Sequence, residues 1–171
     1  MIGPDATGLL CAERYLRFHD LEAGPSFDAV TLWVDGAEVS EREEMAGTGD
    51  PEVDRILGPM HAIETGAGCL RYEITFENCV AYGWRDESYV VPEADEDVST
   101  MLRRYDRSAY LDYITASTFA ADAAPFPLQH FALVTLDAVI DVVCADAPRV
   151  RAQMLGPDDP GPKPGQPRDF V

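Results

Sequence analysis

The sequence predicts an α+β fold: a mostly antiparallel sheet centred on residues 69–85, with two or three helices packed on one face. The first observation is the alternation of large apolar and polar residues through this stretch, which predicts a strand with one buried face. The second is a pair of later segments, 108–118 and 136–145, with apolar residues at helical spacing. The large apolar residues of the central stretch are Leu70, Tyr72, Ile74, Phe76, Val80, Tyr82 and Trp84.

The alternation keeps its phase through Glu77 and Asn78, which limits the path of the chain. A two-residue turn there would place bulky residues of one arm opposite small residues of the other. A three-residue turn at 77–79 would keep the bulk on one face, with Asn78 in the left-handed conformation that Asn tolerates. One long bent strand with a bulge near Asn78 would do the same. Because no Gly marks a turn, the long strand is preferred, and the hairpin stays the alternative.

The first part of the chain is predicted to contain one short element and one hairpin. A short helix or strand is expected around residues 9–18. Residues 27–34 are rich in residues that favour strands. Asp35-Gly36 is a strong signal for a tight turn, so residues 37–39 are expected to return beside 27–34.

The next segment is predicted to be mostly exposed. Residues 40–50 are acidic and contain Gly, which indicates a surface loop. Asp50 followed by Pro51 is typical of a helix start, so a helix is expected over 51–57. Residues 60–64 are expected to form a short strand.

The part that follows the centre alternates between loop, strand and helix. Residues 86–99 are predicted to form a solvated acidic loop, and 101–106 a strand. Ser108 is a suitable N-cap for the helix through about residue 118. Residues 129–134 are then expected to form another strand.

Residues 136–145 show the clearest helical spacing in the chain, with Thr135 as a candidate cap. Leu136, Val139, Ile140 and Val143 fall at i, i+3, i+4 and i+7. Asp137 and Asp141 would then lie on the opposite, polar face of this helix.

The chain is expected to form a single globular domain over residues 1–155, as is usual at a length of 171 residues. From residue 156 to 167 it reads G-P-D-D-P-G-P-K-P-G-Q-P. This composition cannot build a core, so residues 156–171 are predicted to be a Pro/Gly-rich flexible tail.

Charge is the strongest constraint on partners. The chain has 31 acidic and 13 basic residues, a formal net charge of -18. A field this negative repels nucleic acid and anionic membranes and favours a basic protein partner. No apolar run approaches the roughly 18 residues that span a bilayer, and no targeting segment is visible, so a cytoplasmic location is expected. The many arginines and the single lysine indicate a GC-rich bacterial genome.

No metal or cofactor site is predicted. The four cysteines form no C-x-x-C pair, and buried free thiols in a reducing compartment are expected. His19, His61 and His130 lack ligand spacing, and His130 is expected to make a structural hydrogen bond. The run Asp95-Glu96-Asp97 resembles a calcium loop but lacks the Gly and the distal Glu of an EF-hand.

No catalytic residues are predicted either. Ser88 and Ser108 lack the flanking glycines of a nucleophile elbow, so a hydrolase triad has no support in the sequence. Neither a G-x-G-x-x-G run nor a Walker loop is present, so nucleotide binding has no fingerprint.

Three segments between residues 70 and 145 together form one loose pattern. They are Y-E-I-T-F-E-N from Tyr72 with V-A-Y at 80–82 and D-E-S at 86–88; Ser108 with L-D-Y-I at 111–114 and Thr118; and H-F-A-L at 130–133 with V-I-D-V-V at 139–143. Together they resemble a group of small uncharacterised bacterial proteins. The resemblance implies a single bacterial domain, and it implies no activity and no site residue.

Two hypotheses for function remain. The first is an acidic protein-binding module of the immunity or antitoxin type, which inhibits a basic bacterial protein through the acidic segments 86–97 or 38–54. Its predicted partner-binding residues are Asp86, Glu87, Glu93, Asp95, Glu96 and Asp97. The alternative is a small enzyme or small-molecule-binding protein with a pocket between the sheet and the helices, using His130 or Tyr82.

Overall fold

The computed structural model describes residues 5–24, 28–92, 97–120 and 127–159. Its helices are α1 (Thr7–Ala12), α2 (Pro51–Leu57) and α3 (Ala109–Ser117), with a 3₁₀ turn at Glu87–Tyr89. Its strands are β1 (Leu16–Ala23), β2 (Ala29–Gly36), β3 (Glu38–Met45), β4 (Pro59–Glu64), β5 (Leu70–Glu77), β6 (Cys79–Asp86), β7 (Leu102–Tyr105), β8 (Gln129–Val134), β9 (Ala138–Cys144) and β10 (Arg149–Met154).

Two four-stranded antiparallel sheets pack against each other across one apolar core. The first sheet has the order β1-β2-β5-β10, and the second has the order β6-β9-β8-β7. Large apolar side chains from both sheets meet between them, as when the rings of Phe76 and Phe131 lie 5.8 Å apart. Strands β3 and β4 form a separate two-stranded ribbon. The combination of antiparallel sheets and helices confirms the predicted α+β class.

The central stretch passes from the first sheet to the second, as β5 and then β6. β5 pairs with β2 and β10, whereas β6 pairs with β9. Between them Asn78 adopts a left-handed conformation, with φ of 52°. The alternative hairpin is therefore wrong, because β5 and β6 do not pair, and the expected bend near Asn78 separates two strands of different sheets. Large even-numbered side chains are buried in β5, but Tyr82 and Trp84 are half exposed because β6 is an edge strand.

A second crossing joins the same two sheets close by. β9 lies in the second sheet and β10 in the first, so the chain turns between them at residues 145–148. The two corners are linked, since the Asn78 side-chain amide donates a 2.7 Å hydrogen bond to the carboxylate of Asp146. These crossings tie both sheets into one core.

The predicted helix over 136–145 is wrong. Residues 138–144 form β9, a central strand whose seven residues are all buried. One face of β9 contacts the core between the sheets, and the other is covered by α3. A strand buried on both faces shows no alternation, and its continuous apolar run matched helical spacing.

Two further predictions are corrected. Residues 29–36 and 38–45 do not pair across Asp35-Gly36, because β2 pairs with β1 and β5 while β3 pairs with β4. The predicted loop over 40–50 contains most of β3. Strand β10, at residues 149–154, had no counterpart in the predictions.

Several other predictions agree with the structure, but the single short element expected over 9–18 covers the end of α1 and the start of β1, and only Cys144 of the four cysteines is buried. Helices α2 and α3 begin at Asp50 and Ser108 as expected, and β4, β7 and β8 lie where strands were predicted. Helix α3 packs on the outer face of the second sheet through Leu111 and Ile114. Most of the predicted tail, residues 160–171, lies outside the described residues.

Candidate functional site

Residues 38–64 form an extension of the two-sheet body, which we call the acidic arm. Strands β3 and β4 pair antiparallel, from Glu38 opposite Glu64 to Met45 opposite Pro59. The register shifts between Val39 and Glu43, where the ribbon carries a bulge. Helix α2 connects the far ends of the two strands.

Local hydrogen bonds set the shape of the far end of the arm. The Asp50 carboxylate accepts hydrogen bonds from the backbone N–H groups of Glu52 (2.8 Å) and Val53 (3.3 Å), which caps α2. The Thr48 hydroxyl donates to the Asp54 carboxylate at 2.8 Å and fixes the preceding loop. Helix α2 ends at Gly58, whose φ of 68° suits a residue without a side chain.

Contacts with β1 and β2 hold the base of the arm. Arg17 donates a 2.9 Å hydrogen bond to the carbonyl of Ile63, and it also pairs with Asp137 at 3.4 Å. The Thr65 hydroxyl donates to the carbonyl of Gly36 at 3.1 Å. The base therefore has a defined position relative to the first sheet.

Not one residue of the arm is buried, and six of its large apolar residues are exposed. Ile56 is 74% exposed and Met45 is 54% exposed. An isolated ribbon and a two-turn helix bury too little surface to be stable alone, so exposed apolar groups here are notable. Clustered exposed apolar residues are typical of a protein-binding surface. The six residues are Val39, Met45, Val53, Ile56, Leu57 and Met60.

Acidic residues alternate with these apolar residues along the same segment. The arm contains eight acidic residues and two arginines, so its net charge is strongly negative. Of the arginines, Arg42 is itself paired with Glu44 at 3.6 Å. A transient protein interface usually combines apolar groups with charged ones. The acidic residues are Glu38, Glu41, Glu43, Glu44, Asp50, Glu52, Asp54 and Glu64.

The predicted partner-binding residues are only partly described. Asp86 and Glu87 are exposed at the end of β6, and Asp86 accepts a 3.0 Å hydrogen bond from the backbone of Ser88. Asp97 is exposed, and hydrogen bonds from the Ser99 side chain and backbone lower its pKa. Glu93, Asp95 and Glu96 lie outside the described residues.

Exposed apolar side chains accompany acidic residues in both regions: Tyr89, Val91 and Val98 lie near the predicted residues, and six such side chains lie in the acidic arm. Its acidic half, 38–54, was recognised in the sequence, but the apolar part was not. The sequence did contain a signal for this apolar part. Val53, Ile56 and Leu57 fall at i, i+3 and i+4 of a predicted helix that also contains acidic residues.

A second polar cluster is buried beneath the start of α3. His130 lies between Ser108, whose Oγ is 2.8 Å from Nδ1, and Asp141, whose Oδ1 is 2.9 Å from Nε2. Arg85 donates two hydrogen bonds to the same carboxylate, at 2.6 and 2.7 Å. The cluster therefore joins β6, β8, β9 and the N-cap of α3.

The hydrogen-bonding partners determine which atoms of this cluster carry protons. A carboxylate can only accept, so Nε2 of His130 donates to Asp141. In the neutral ring Nδ1 then accepts from the Ser108 hydroxyl, which itself accepts from the N–H of Leu111 at 3.0 Å. Burial raises the pKa of Asp141, but the hydrogen bonds from His130 and Arg85 outweigh it, so the pKa is lowered. The aspartate is therefore ionised at neutral pH.

Two tyrosines cover the imidazole. Tyr105 stacks on His130 with ring centroids 4.8 Å apart, and Tyr110 lies 5.3 Å away. Tyr110 also needs Gly83, because a Cβ there would lie 3.0 Å from its hydroxyl. Burial, followed by the charge of Asp141, raises the pKa of Tyr110. The histidine is thus enclosed by aromatic rings.

The order Ser108–His130–Asp141 resembles a hydrolase triad, but its setting is that of a structural clamp. Ser108 is 5% exposed and His130 is 1% exposed. The Ser108 hydroxyl caps α3, so a substrate could reach it only if the helix moved. The predicted structural role of His130 is confirmed. The sequence did not show that these residues meet, because they are far apart along the chain.

Among residues 5–24, 28–92, 97–120 and 127–159, no group of three His, Cys, Asp or Glu side chains is placed to hold a metal ion. No helix in these ranges is long and apolar enough to cross a bilayer. Comparison of the chain with protein families, curated proteins and solved structures gives no significant match. The resemblance of residues 70–145 to small bacterial proteins stays a prediction.

Proposed function

We propose that this chain is an acidic protein-binding module that binds a basic protein through the acidic arm. The observation that carries the proposal is the exposure of apolar side chains of the arm, Ile56, Leu57 and Met60 among them, in a segment with eight acidic residues. Apolar groups at the centre of a binding surface supply affinity, and surrounding charges speed the encounter and select the partner.

The charge of the whole chain supports a basic partner. With a net charge of -18, long-range attraction acts on a basic protein, and acidic proteins and nucleic acids are repelled. A small acidic protein that covers a basic partner in this way would act as an inhibitor of the immunity or antitoxin type. The cytoplasm is the compartment we propose for it.

The alternative, a small enzyme that uses His130 or Tyr82, has less support. His130 lies opposite Val143 in the second sheet, whereas Tyr82 lies opposite Val142. Adjacent positions of a strand point to opposite faces, so the two side chains cannot share a pocket. His130 is also fully engaged in the clamp beneath α3.

The proposal is tested by affinity capture with matched variants. The arm variant carries Glu38→Gln, Glu41→Gln, Glu43→Gln and Glu44→Gln. The control variant loses the same charge from exposed sites outside the arm, through Glu22→Gln, Asp106→Asn, Asp112→Asn and Asp158→Asn. Lysate of the source organism is passed over each protein at low and at high salt, and bound proteins are identified by mass spectrometry.

We expect one basic protein on the wild-type chain and on the control variant at low salt. It should be released at high salt, because exposed charges are screened, and it should be lost or strongly reduced on the arm variant. Equal capture by the arm variant and the control would contradict a role for the arm. Capture of acidic proteins, or of no protein, would contradict the proposed class of partner.

A further inference from the structure

A cleft of about 530 Å³ opens beside α1, between an edge strand of each sheet. Its walls come from β7, which ends the second sheet, from β10, which ends the first, and from the connection between β9 and β10. Another pair of edge strands, β1 and β6, is closed by Phe18 and Trp84, whose rings pack edge to face at 4.6 Å. No such aromatic pair fills the side bounded by α1 among the described residues.

The floor of the cleft consists of core side chains that are almost fully buried, with Phe131 4% and Val150 1% exposed. Phe131 and Val150 line it, and both belong to the main apolar core. Leu102 and Cys11 line it as half-buried side chains. The volume is within the usual range for pockets that take small organic ligands. An apolar molecule could therefore extend core packing outward at this point.

Two arginines, Arg104 and Arg149, also line the cleft, in a chain where acidic residues far outnumber basic ones. Each forms an exposed ion pair, with Asp106 and Glu77 respectively, and pairs of this kind exchange readily with another anion. The one carboxylate of the lining is Asp5, whose Oδ1 already accepts hydrogen bonds from the backbone and hydroxyl of Thr7. The lining itself therefore has two guanidinium groups and one carboxylate, and the carboxylates that pair with the arginines lie outside the lining.

From this combination we propose that the cleft binds a small apolar molecule with a carboxylate group. The carboxylate lies at Arg104 and Arg149, because guanidinium groups match its geometry. The apolar body covers Leu102, Phe131 and Val150. This site is separate from the acidic arm, so its occupancy and the capture of a basic protein are independent.

Calorimetric titration of the full chain with sodium octanoate tests the proposal, with octylammonium chloride and octanol as probes of the same length. Octanoate should bind, and the other two should bind at least about tenfold more weakly, because they lack a carboxylate for the arginines. Equal binding of octanol would contradict recognition of the carboxylate. No heat with octanoate would contradict the site itself.

Matched arginine variants place the binding at the cleft. Arg104→Gln with Arg149→Gln should weaken octanoate binding by about tenfold or more. Arg103→Gln with Arg151→Gln removes the same charge from adjacent positions of the same strands, outside the lining, and should leave binding unchanged. An equal loss of octanoate affinity in the two double variants would mean that only net charge matters, which contradicts the proposal.

The thiol of Cys11 gives a second readout. Octanoate should slow the alkylation of Cys11 by iodoacetamide, while Cys69, which is half buried outside the lining, serves as an internal reference. Peptide mapping gives both rates in one sample. If the alkylation rate of Cys11 stays the same at an octanoate concentration that saturates the heat signal, the ligand binds elsewhere and the assignment is overturned.

Discussion

His130 and Asp141 lie on the neighbouring strands β8 and β9, and His130 Nε2 is 2.9 Å from Asp141 Oδ1 in an almost fully buried position. His130 also bonds to Ser108, the N-cap of α3, and Asp141 also accepts from Arg85 of the edge strand β6. A buried carboxylate and imidazole are tolerated only when their partners are in place. This contact therefore couples the position of α3 to the second sheet.

Replacing His130 by Ala should destabilise the protein. The variant leaves the Ser108 hydroxyl and one oxygen of Asp141 with fewer partners in a buried site, which costs about 1–3 kcal/mol. His61→Ala is the matched control, because His61 is exposed on the arm, and it should change stability by less than about 0.5 kcal/mol. Urea unfolding measures both. Equal stability of the two variants would contradict the clamp.

Asp141 should make stability depend on pH at the acid end. Its pKa is lowered on folding, because hydrogen bonds from His130 and Arg85 outweigh burial. A lowered folded pKa stabilises the native state above the unfolded value of about 3.9, and this stability is lost as the pH falls through the folded pKa. Asp141→Asn should therefore be less stable than wild type at pH 7, with a difference that shrinks below about pH 4. A difference that stays constant from pH 7 to pH 2 would argue against this ion pair.

Val139→Asp should be severely destabilising, because Val139 is a buried residue of a strand covered on both faces. An unpaired carboxylate there should cost about 3 kcal/mol or more. Val91→Asp, at a position that is 80% exposed, is the control and should be close to neutral. Thermal unfolding followed by circular dichroism compares them. Similar melting temperatures would be incompatible with the placement of β9.

The two thiols at the corner between the sheets should be inert in the native state. Cys79 and Cys144 lie opposite each other in β6 and β9, and burial raises their pKa values to about 11 and about 12. Because the thiolate is the reactive form, both should resist iodoacetamide at pH 8 until the chain unfolds. Cys69 is the comparison residue, and it should react first. Native-state alkylation of Cys144 as fast as that of Cys69 would contradict this packing.

The exposed apolar residues of the arm should matter for binding and not for folding. Ile56→Ser with Leu57→Ser should change the free energy of unfolding little, because neither side chain is buried. The affinity for the captured basic partner should fall by about tenfold or more, as expected for central apolar contacts. Val91→Ser with Tyr113→Ser removes exposed apolar groups elsewhere and should have no effect. Loss of stability in the arm variant would show that these residues pack in this chain.

Much of the fold could be predicted from local signals. Alternation identified β5 and β6, and the left-handed conformation of Asn78, which was considered for a hairpin turn, occurs at the crossing between the sheets. The caps Asp50 and Ser108 marked the starts of two helices. These features depend on neighbouring residues, so sequence patterns contain them.

The incorrect predictions concern elements whose structure depends on pairing between residues that are far apart in the sequence. β9 is rich in Val and Ile, a strand signal, but its burial on both faces removed the alternation and left an accidental helical spacing. Asp141 seemed to belong to a polar face, whereas it pairs with Arg85, which is 56 residues away. No local pattern gives the register that brings Ser108, His130 and Asp141 together.

Amide hydrogen exchange of the complex with the captured partner shows where on this chain the partner binds. The chain alone and in the complex are compared peptide by peptide. We expect slower exchange across residues 38–64 in the complex, with the core strands β5 and β9 unchanged. Protection confined to residues 86–97, or to any surface outside the arm, would contradict the account.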